Sequence, residues 1–155
     1  MKVREAEKRD AEKISALGTT VWLDTYATDG INSGLASYVI EKFSPEATRQ
    51  AMTKDLVLVI EELDHLLGYA TVERNLSQKT ELKTLYVLPK FQRQGVGKQL
   101  IKACQRHAKS GLWLTCWEHN VLAHRFYNRN GFTITGEDTI FIDGEHHRNI
   151  VFEST

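Results

Sequence analysis

A glycine-containing loop ahead of a basic segment carries the strongest chemical signal in this 155-residue sequence. Pro89 ends an apolar run, and two glycines, Gly95 and Gly97, then precede apolar residues at helical spacing. Glycines at a helix start let backbone N–H groups approach a ligand, and the helix dipole favours an anion there. Lys and Arg, but no Asp or Glu, occur from Lys90 to Lys109. The loop therefore predicts a site for a phosphate group.

Neither common nucleotide-binding loop fits these glycines. A P-loop needs glycine five positions before the Gly-Lys pair and Ser or Thr after it, where this sequence has Gln92 and Gln99. The dinucleotide fingerprint needs a third glycine at position 100, which is Leu100. The residues alone leave open a tight turn ahead of a solvated basic helix.

Two motifs together resemble one known family. The segment from Gln92 to Gly97 resembles the Gln/Arg-x-x-Gly-x-Gly/Ala motif of the GCN5-related N-acetyltransferase (GNAT) superfamily. Downstream, Asn120 to Phe132 is similar to the family's Asn-x-x-Ala-x-x-Phe-Tyr-x-x-x-Gly-Phe signature. Within the superfamily, the Trp-Glu-x-Asn stretch at Trp117 and the Asp-Thr-Tyr stretch ending at Tyr26 are similar to bacterial polyamine-type acetyltransferases.

The resemblance implies acetyl-CoA as co-substrate, held where two parallel strands, residues 82–88 and 112–117, splay apart. Strand backbone would bind the pantetheine arm, and the glycine loop would hold the pyrophosphate. Asn120 would cap the last helix and also reach the pantetheine, while Ala123, one turn from Tyr127, would leave room below the phenol. The implied cofactor-binding residues are Leu85, Tyr86, Val87, Gln92, Arg93, Gln94, Gly95, Val96, Gly97, Lys98, Asn120, Ala123, Phe126 and Tyr127.

The resemblance also implies the residues that move protons. Tyr127 matches the family position that protonates the departing thiolate, and a phenol O–H can be aimed at sulfur. Glu81 lies fourteen positions before Gly95, the offset of the base glutamate in the histone acetyltransferase branch. Glu73 is the reserve base. The alternatives are that Tyr127 only packs against its neighbours and that Glu81 is an exposed acid at the start of a strand.

The acceptor is expected on the other side of the sheet, over the first two helices. Aromatic residues there would form a wall for a cationic amine, although aromatics at helical spacing also build cores. The candidate substrate-binding residues are Trp22, Tyr26, Glu73 and Trp117. No His, Cys, Asp and Glu set has metal-ligand spacing, so we expect no metal.

The element order predicted from periodicity is strand, two helices, three strands, helix, strand, helix and two strands. Asp10 and Ser44 are predicted helix caps, and Pro45 restarts the second helical region. Turns are predicted at Asp64-His65 and Asp143-Gly144. The expected fold class is α/β and GNAT-like: a mixed, mostly antiparallel central sheet with a splayed parallel strand pair and flanking helices.

Composition excludes several other classes of protein. Hydrophobic residues make up 41% and charged residues 26%, which is typical of one globular domain spanning residues 1–155. Lys plus Arg and Asp plus Glu both number 20, so no overall basic surface predicts nucleic acid or membrane binding. Two cysteines cannot build a disulfide framework, and they are expected in the core. With no signal-peptide pattern, we expect a cytoplasmic protein; a homodimer is left open.

The sequence therefore predicts an acetyl-CoA-dependent N-acetyltransferase that acts directly on a primary amine of a small molecule such as a polyamine. The first alternative is a protein N-terminal or lysine acetyltransferase. A non-catalytic acyl-CoA-binding module is the second, although it would not need the phenol of Tyr127. Nucleic-acid binding through the basic helix ranks last, because that helix lacks interleaved aromatics and a recognisable motif.

Overall fold

A computed structural model describes residues 1–74, 78–142 and 144–155. The described chain alternates seven strands with five helices, and short 3₁₀ turns precede the first helix and the glycine loop. In order, these elements are β1 (Lys2–Glu5), α1 (Ala11–Tyr26), α2 (Ser33–Lys42), α3 (Pro45–Lys54), β2 (Leu56–Glu62), β3 (His65–Val72), β4 (Thr80–Val87), α4 (Val96–His107), β5 (Leu112–Trp117), α5 (Val121–Arg129), β6 (Thr133–Ile142) and β7 (Glu145–Glu153).

The strands form one mixed sheet in the order β1-β2-β3-β4-β5-β7-β6. Within the described chain, β4 and β5 are the parallel pair, and every other neighbouring pair is antiparallel. The predicted fold class is confirmed, including the parallel pair flanked by antiparallel strands.

Helices cover both faces of this sheet. On one face, α4 and α5 bury Leu100, Ile101 and Tyr127 against apolar residues of β2 to β5 and β7. On the other face, α1 packs Ile14 and Leu17 on β2 and β3. Apolar residues at 3.6-residue spacing on α1 and α4 explain this burial, because each helix presents one apolar stripe to the sheet. The two free cysteines, Cys104 and Cys116, are buried as expected.

The element boundaries confirm one sequence expectation and shift another. The restart predicted at Ser44 and Pro45 is present, because Ser44 Oγ accepts a hydrogen bond from Ala47 N (3.1 Å) and Pro45 begins α3. The turn expected at Asp64-His65 lies one residue earlier, where Leu63 and Asp64 adopt positive φ angles of 50° and 64°. Within the predicted hairpin turn, position 143 lies outside the described residues.

Asp10 does not cap α1 through its side chain. Its carboxylate is fully buried and accepts hydrogen bonds from Arg4 Nη1 (2.7 Å) and Nη2 (3.0 Å) and from Glu7 N (2.7 Å). The pairing partner lies on β1, so helix-start spacing alone could not predict it. No helix in the described part of the chain is both long and apolar enough to cross a membrane.

Candidate active site

The site begins where the parallel strands part. Only two residue pairs join β4 to β5, Thr80 with Leu112 and Glu81 with Trp113. Beyond them, β4 continues to Val87 and β5 to Trp117 without ladder pairing between the two strands. A gap therefore opens in the middle of the sheet, as the sequence predicted.

A bulge in β4 lies beside this gap. The β3–β4 register shifts between Thr71 and Val72, which pair with Thr84 and Leu82, so Lys83 is the additional residue. A bulge bends its strand and disrupts the ladder locally. Both carboxylate oxygens of Asp55 lie 3.1 Å from Lys83 Nζ and hold the bulged residue on the α1 face of the sheet. No pattern in the sequence predicts this bulge.

The hydrogen-bond pattern of β4 shows which backbone groups face the gap. Leu88 N donates to Leu67 O on β3 (2.9 Å), and bonded pairs alternate along an antiparallel ladder. Tyr86, two residues away, therefore also bonds to β3. Leu85 and Val87 turn their N–H and C=O groups away from β3, towards β5.

Tyr86 thus contributes its side chain, and not its backbone, to the neighbourhood of the gap. Its carbonyl oxygen lies 2.7 Å from the position of a Cβ built on Gly68 of β3, which places that oxygen on the β3 side. The aromatic ring lies on the α1 face, with its centroid 5.7 Å from that of Tyr69 and 6.0 Å from that of Phe43.

The same alternation applies across the gap on β5. Ser154 N donates to Leu112 O (2.9 Å), so the next bonded residues of β5 are at 114 and 116. Thr115 consequently directs its backbone groups towards β4, whereas the Trp117 carbonyl oxygen already accepts a hydrogen bond from Asn120 N (3.0 Å) and lies 2.9 Å from His124 Nε2. Two strand edges therefore face each other without ladder pairing between them, and an extended amide-containing ligand could bind there as another strand would.

The backbone of the glycine loop leads directly into the N-terminus of α4. Arg93 and Gly95 have φ angles of 62° and 83°, and Gly95, the N-cap of α4, has nothing within 4 Å of its Cβ position. The first helical hydrogen bond runs from Gln99 N to Gly95 O (3.0 Å), so helix geometry leaves the N–H groups of residues 96–98 without partners inside α4. Lys98 adds an exposed cation to this helix start.

The glutamines of the loop fold back onto it. Gln92 Nε2 donates to Val87 O (3.0 Å), and Gln94 Nε2 donates to Lys90 O (3.0 Å). Gln92 thereby ties the loop to the end of β4 at one of the carbonyls that faces the gap.

Gly97 has a packing role that the sequence did not reveal. A Cβ at this position would lie 3.0 Å from two ring atoms of Phe126 and 3.8 Å from Val87. The absence of a side chain lets α4 approach the aromatic ring of α5. Val96 is fully buried, so it contributes to the site through its backbone alone.

Helix α5 supplies the phenol. Asn120 accepts a hydrogen bond from Ala123 N (3.3 Å) and so caps this helix, as predicted. Tyr127 is buried, with its ring centroid 5.3–5.6 Å from those of Phe126, Phe132 and Phe152.

The hydroxyl of Tyr127 is not used in packing. It has no hydrogen-bond partner among the described residues, yet it is not sealed from solvent. Burial raises the pKa of Tyr127 well above its ordinary value, with smaller contributions from Cys116 on β5 and Tyr86 on β4. The phenol is therefore a protonated donor at neutral pH.

Glu81 lies at the closed end of the gap. It is half-buried, and its pKa is raised above the ordinary 4.5, mainly by burial. Lys83 lowers this pKa, while Glu73 and Asp55 raise it. Glu73 itself is bound to the strand start, because its Oε2 accepts a hydrogen bond from Glu81 N (3.4 Å).

Half-buried aromatic residues line the α1 face beside the gap. The Trp22 ring lies 4.7 Å from both Tyr26 and Tyr38, and Tyr26 lies 5.3 Å from Trp117. We call Trp22, Tyr26, Tyr38 and Trp117 the aromatic wall. All four lie outside the buried core, so the structure brings the predicted aromatic acceptor residues together. Burial raises the pKa of Tyr26 to about 12.

Comparison with known proteins agrees with this geometry. The family model described as "Acetyltransferase (GNAT) family" matches residues 22–132. An uncharacterized N-acetyltransferase of Mycobacterium bovis is 31% identical over 121 residues, which cover 74% of this chain and 77% of that protein. The chain therefore belongs to the GNAT family, and it is an N-acetyltransferase.

More distant relatives cover nearly the whole chain. A spermidine N(1)-acetyltransferase of Thermoplasma acidophilum is 26% identical over 149 residues, covering 90% of this chain and 91% of that protein. The crystal structure of a PaiA N-acetyltransferase from Thermoplasma acidophilum in complex with coenzyme A has 21% identity and a TM-score of 0.80, covering 99% of this chain and 97% of that one. The latter similarity shows that the fold is shared.

Proposed function

We propose that this N-acetyltransferase binds acetyl-CoA in the gap and transfers the acetyl group to a small primary amine. The observation that carries this proposal is the pair of strand edges without ladder pairing, with the N-terminus of α4 following β4 and with α5, which bears Tyr127, following β5. A pantetheine arm is rich in amides, and a pyrophosphate is an anion, so each part of the ligand matches one part of the site.

The chain's own residues would hold this substrate in two places. Backbone groups of Leu85 and Val87 would bind the pantetheine amides, and the Gln92 amide would then release the Val87 carbonyl. The N–H groups of residues 96–98 and the helix dipole would bind the pyrophosphate, with Arg93 and Lys98 adding positive charge.

Acetyl transfer then needs two proton movements. As the amine nitrogen bonds to the carbonyl carbon and the C–S bond breaks, the Tyr127 hydroxyl would donate its proton to sulfur. Glu81, directly or through water, would accept the proton that the amine loses. Solvent returns the proton from Glu81 to Tyr127, so the net products are an acetamide and a free thiol. The raised pKa of Glu81 suits a general base, and burial keeps the Tyr127 hydroxyl protonated, so that it has a proton to donate.

The acceptor would approach over the aromatic wall, where π faces attract an ammonium group before it loses its proton. Polyamines belong among the first acceptors to be assayed, because one relative is a spermidine acetyltransferase.

The test is amine-dependent release of the CoA thiol, with acetylated products identified by mass spectrometry. The panel contains spermidine, putrescine, short monoamines, a peptide N-terminus and a lysine peptide. Thiol release without amine gives the hydrolysis background, and Tyr127→Phe is the matched variant. We expect product with small amines. If only the peptides were acetylated, the acceptor would be a protein or peptide amine and not a small amine. If acetyl-CoA bound but no amine were acetylated, the proposal would be wrong.

A further inference from the structure

A second pocket lies on the α1 face of the sheet, next to the bulge in β4. It has a volume of about 280 Å³ and lies between α1, the α2–α3 corner and strands β2 to β4. Apolar side chains form part of its wall, and Asp55 and Lys83 form its charged side. The hydroxyl-bearing residues Thr48, Thr71, Thr84 and Tyr69 also line it. We call it the hydroxyl pocket.

The hydroxyls of this pocket have unused hydrogen-bonding capacity. Thr48, Thr71 and Tyr69 are buried and Thr84 is half-buried. None of the four side-chain oxygens has a hydrogen-bond partner among the described residues, and none is sealed from solvent. Buried hydroxyls normally find partners. Because these four hydroxyls are open to solvent and line one cavity, they can hydrogen-bond a polar ligand that replaces water there.

The charges of the pocket limit which polar group fits. Asp55 is 5% exposed, and Lys83 neutralises it through both carboxylate oxygens. A second cation, Lys42, lies at the rim, with its Nζ 2.9 Å from the Tyr38 hydroxyl of the aromatic wall. An additional ammonium group would meet two cations, and an anion would have to compete with Asp55 for Lys83. A neutral hydroxyl-bearing group is not repelled by the two lysines and does not compete with Asp55 for Lys83.

The pocket is adjacent to the gap. Thr84 lines the pocket, and the backbone of Leu85, the next residue, faces the gap between β4 and β5. Neighbouring residues of a strand are separated by about 3.3 Å. The volume is at the small end for ligand sites, which are typically about 300–1,000 Å³, so it would hold only part of an acceptor.

We propose that the hydroxyl pocket binds the neutral, hydroxyl-bearing end of the acceptor, and that the preferred substrates are amino alcohols or amino sugars. This inference rests on the proposed function, and it names the substrate class of the same site. The hydroxyls of Thr71 and Thr84 would exchange hydrogen bonds with those of the acceptor, while its amino group reaches the gap past Thr84.

The test compares amines that differ only in hydroxyl groups. The pairs are 2-amino-1,3-propanediol with isopropylamine, and 2-aminocyclohexanol with cyclohexylamine, each assayed at equal concentration of neutral amine. We expect KM to be about three- to tenfold lower for each hydroxylated member, the effect of one net hydrogen bond. Thr71→Val and Thr84→Val, which keep the shape of the side chain, should remove this preference. Thr139→Val, on the distant strand β6, is the control and should retain it.

Two results would overturn the inference while leaving the proposed function intact: equal KM values within each pair, or preferred turnover of spermidine over all four amines. A binding measurement keeps the test independent of transfer. In the presence of CoA, 2-amino-1,3-propanediol should shift the NMR signals of the Thr71 and Thr84 methyl groups, and isopropylamine should not. Unchanged signals with both amines would show that the pocket holds only water, and the inference would be wrong.

Discussion

The ring of Tyr127 is held by three phenylalanines, and its hydroxyl takes no part in holding it. Removing the hydroxyl should therefore leave the fold and acetyl-CoA affinity almost unchanged. General acids typically contribute about 10²–10⁴-fold, so we expect Tyr127→Phe to lower the single-turnover rate by a factor in that range. Rapid-quench single-turnover kinetics measure the chemical step separately from product release. If Tyr127→Phe had the single-turnover rate of the parent across the pH range, the phenol would serve only in packing.

Glu81 should set the acid limb of the pH profile. Its raised pKa means that it stays protonated, and unable to accept a proton, at pH values above the ordinary 4.5 for a carboxyl group. We expect log kcat/KM to rise with pH as Glu81 ionises. Glu81→Gln should be slow at neutral pH and recover partly at high pH, where more of the amine is already neutral.

Stability gives an independent check on the same residue. Because the folded state binds this proton more tightly than the unfolded chain does, ionisation of Glu81 reduces stability as the pH rises between the two pKa values. Glu81→Gln should therefore unfold at the same or a higher temperature than the parent at neutral pH. A variant with lost activity and lost stability would indicate a structural role for Glu81 instead.

At the scale of elements, Arg4 joins the first strand to the turn before α1 and to β2. It holds Asp10 through two hydrogen bonds and Glu61 through two more, each 2.7–3.0 Å long. Arg4→Met leaves the buried Asp10 carboxylate without its cation. Breaking a buried pair costs about 3–5 kcal/mol, and we expect about 3 because Glu61 stays within reach of water.

The pH dependence distinguishes this pair from simple packing. Hydrogen bonds from Arg4 hold the pKa of Asp10 below its ordinary 3.8, against the opposing effect of burial. The pair therefore stabilises the fold above that pH, and this contribution is lost as the pH falls through the lowered pKa. Urea unfolding should show a large difference between parent and Arg4→Met at neutral pH and a smaller one in acid. A constant difference would contradict the assignment.

The strand edges of the gap can be tested through their amide protons. Leu85 and Val87 have N–H groups that face the gap, whereas the N–H of Tyr86 between them bonds to β3. We expect acetyl-CoA to slow hydrogen exchange at Leu85 and Val87, with Tyr86 already protected in the free protein as the internal control. Residue-resolved exchange measured by NMR gives this comparison. If acetyl-CoA slowed hydrogen exchange at Tyr86 alone, Tyr86 would face the gap, and Leu85 and Val87 would face β3.

This alternation also marks where sequence reasoning reached its limit. The glycine loop and the α5 signature were predicted because each is a local pattern with its own backbone requirement. Which residues of β4 direct their backbone groups towards the gap, Tyr86 or its neighbours, depends on the register with β3. The bulge at Lys83 depends on Asp55, 28 residues away in the chain. Neither can be inferred from spacing within one strand. The hydroxyl pocket was missed for the same reason.

At the scale of the whole molecule, only two residue pairs join β4 to β5, and a ligand that fills the gap should connect the two halves of the sheet further. A ligand that binds only the folded state at 100 times its Kd stabilises by about 2.7 kcal/mol. For a chain of this size, about 1 kcal/mol corresponds to roughly 2–4 °C, so we expect acetyl-CoA to raise Tm by about 5–10 °C. Acetyl-pantetheine, which lacks the nucleotide phosphates, should give a smaller shift.

Two charge variants test where the phosphates of acetyl-CoA bind, through their effect on the rise in Tm. Lys98→Gln removes a cation from the start of α4, and Lys109→Gln removes one beyond the end of the same helix, so both change net charge equally. Because the field of a helix start acts within its first turn, we expect only Lys98→Gln to lose part of the shift with acetyl-CoA. Acetyl-pantetheine should stabilise the parent and both variants alike. Equal losses in the two variants would mean that the phosphates respond to overall charge, and not to the N-terminus of α4.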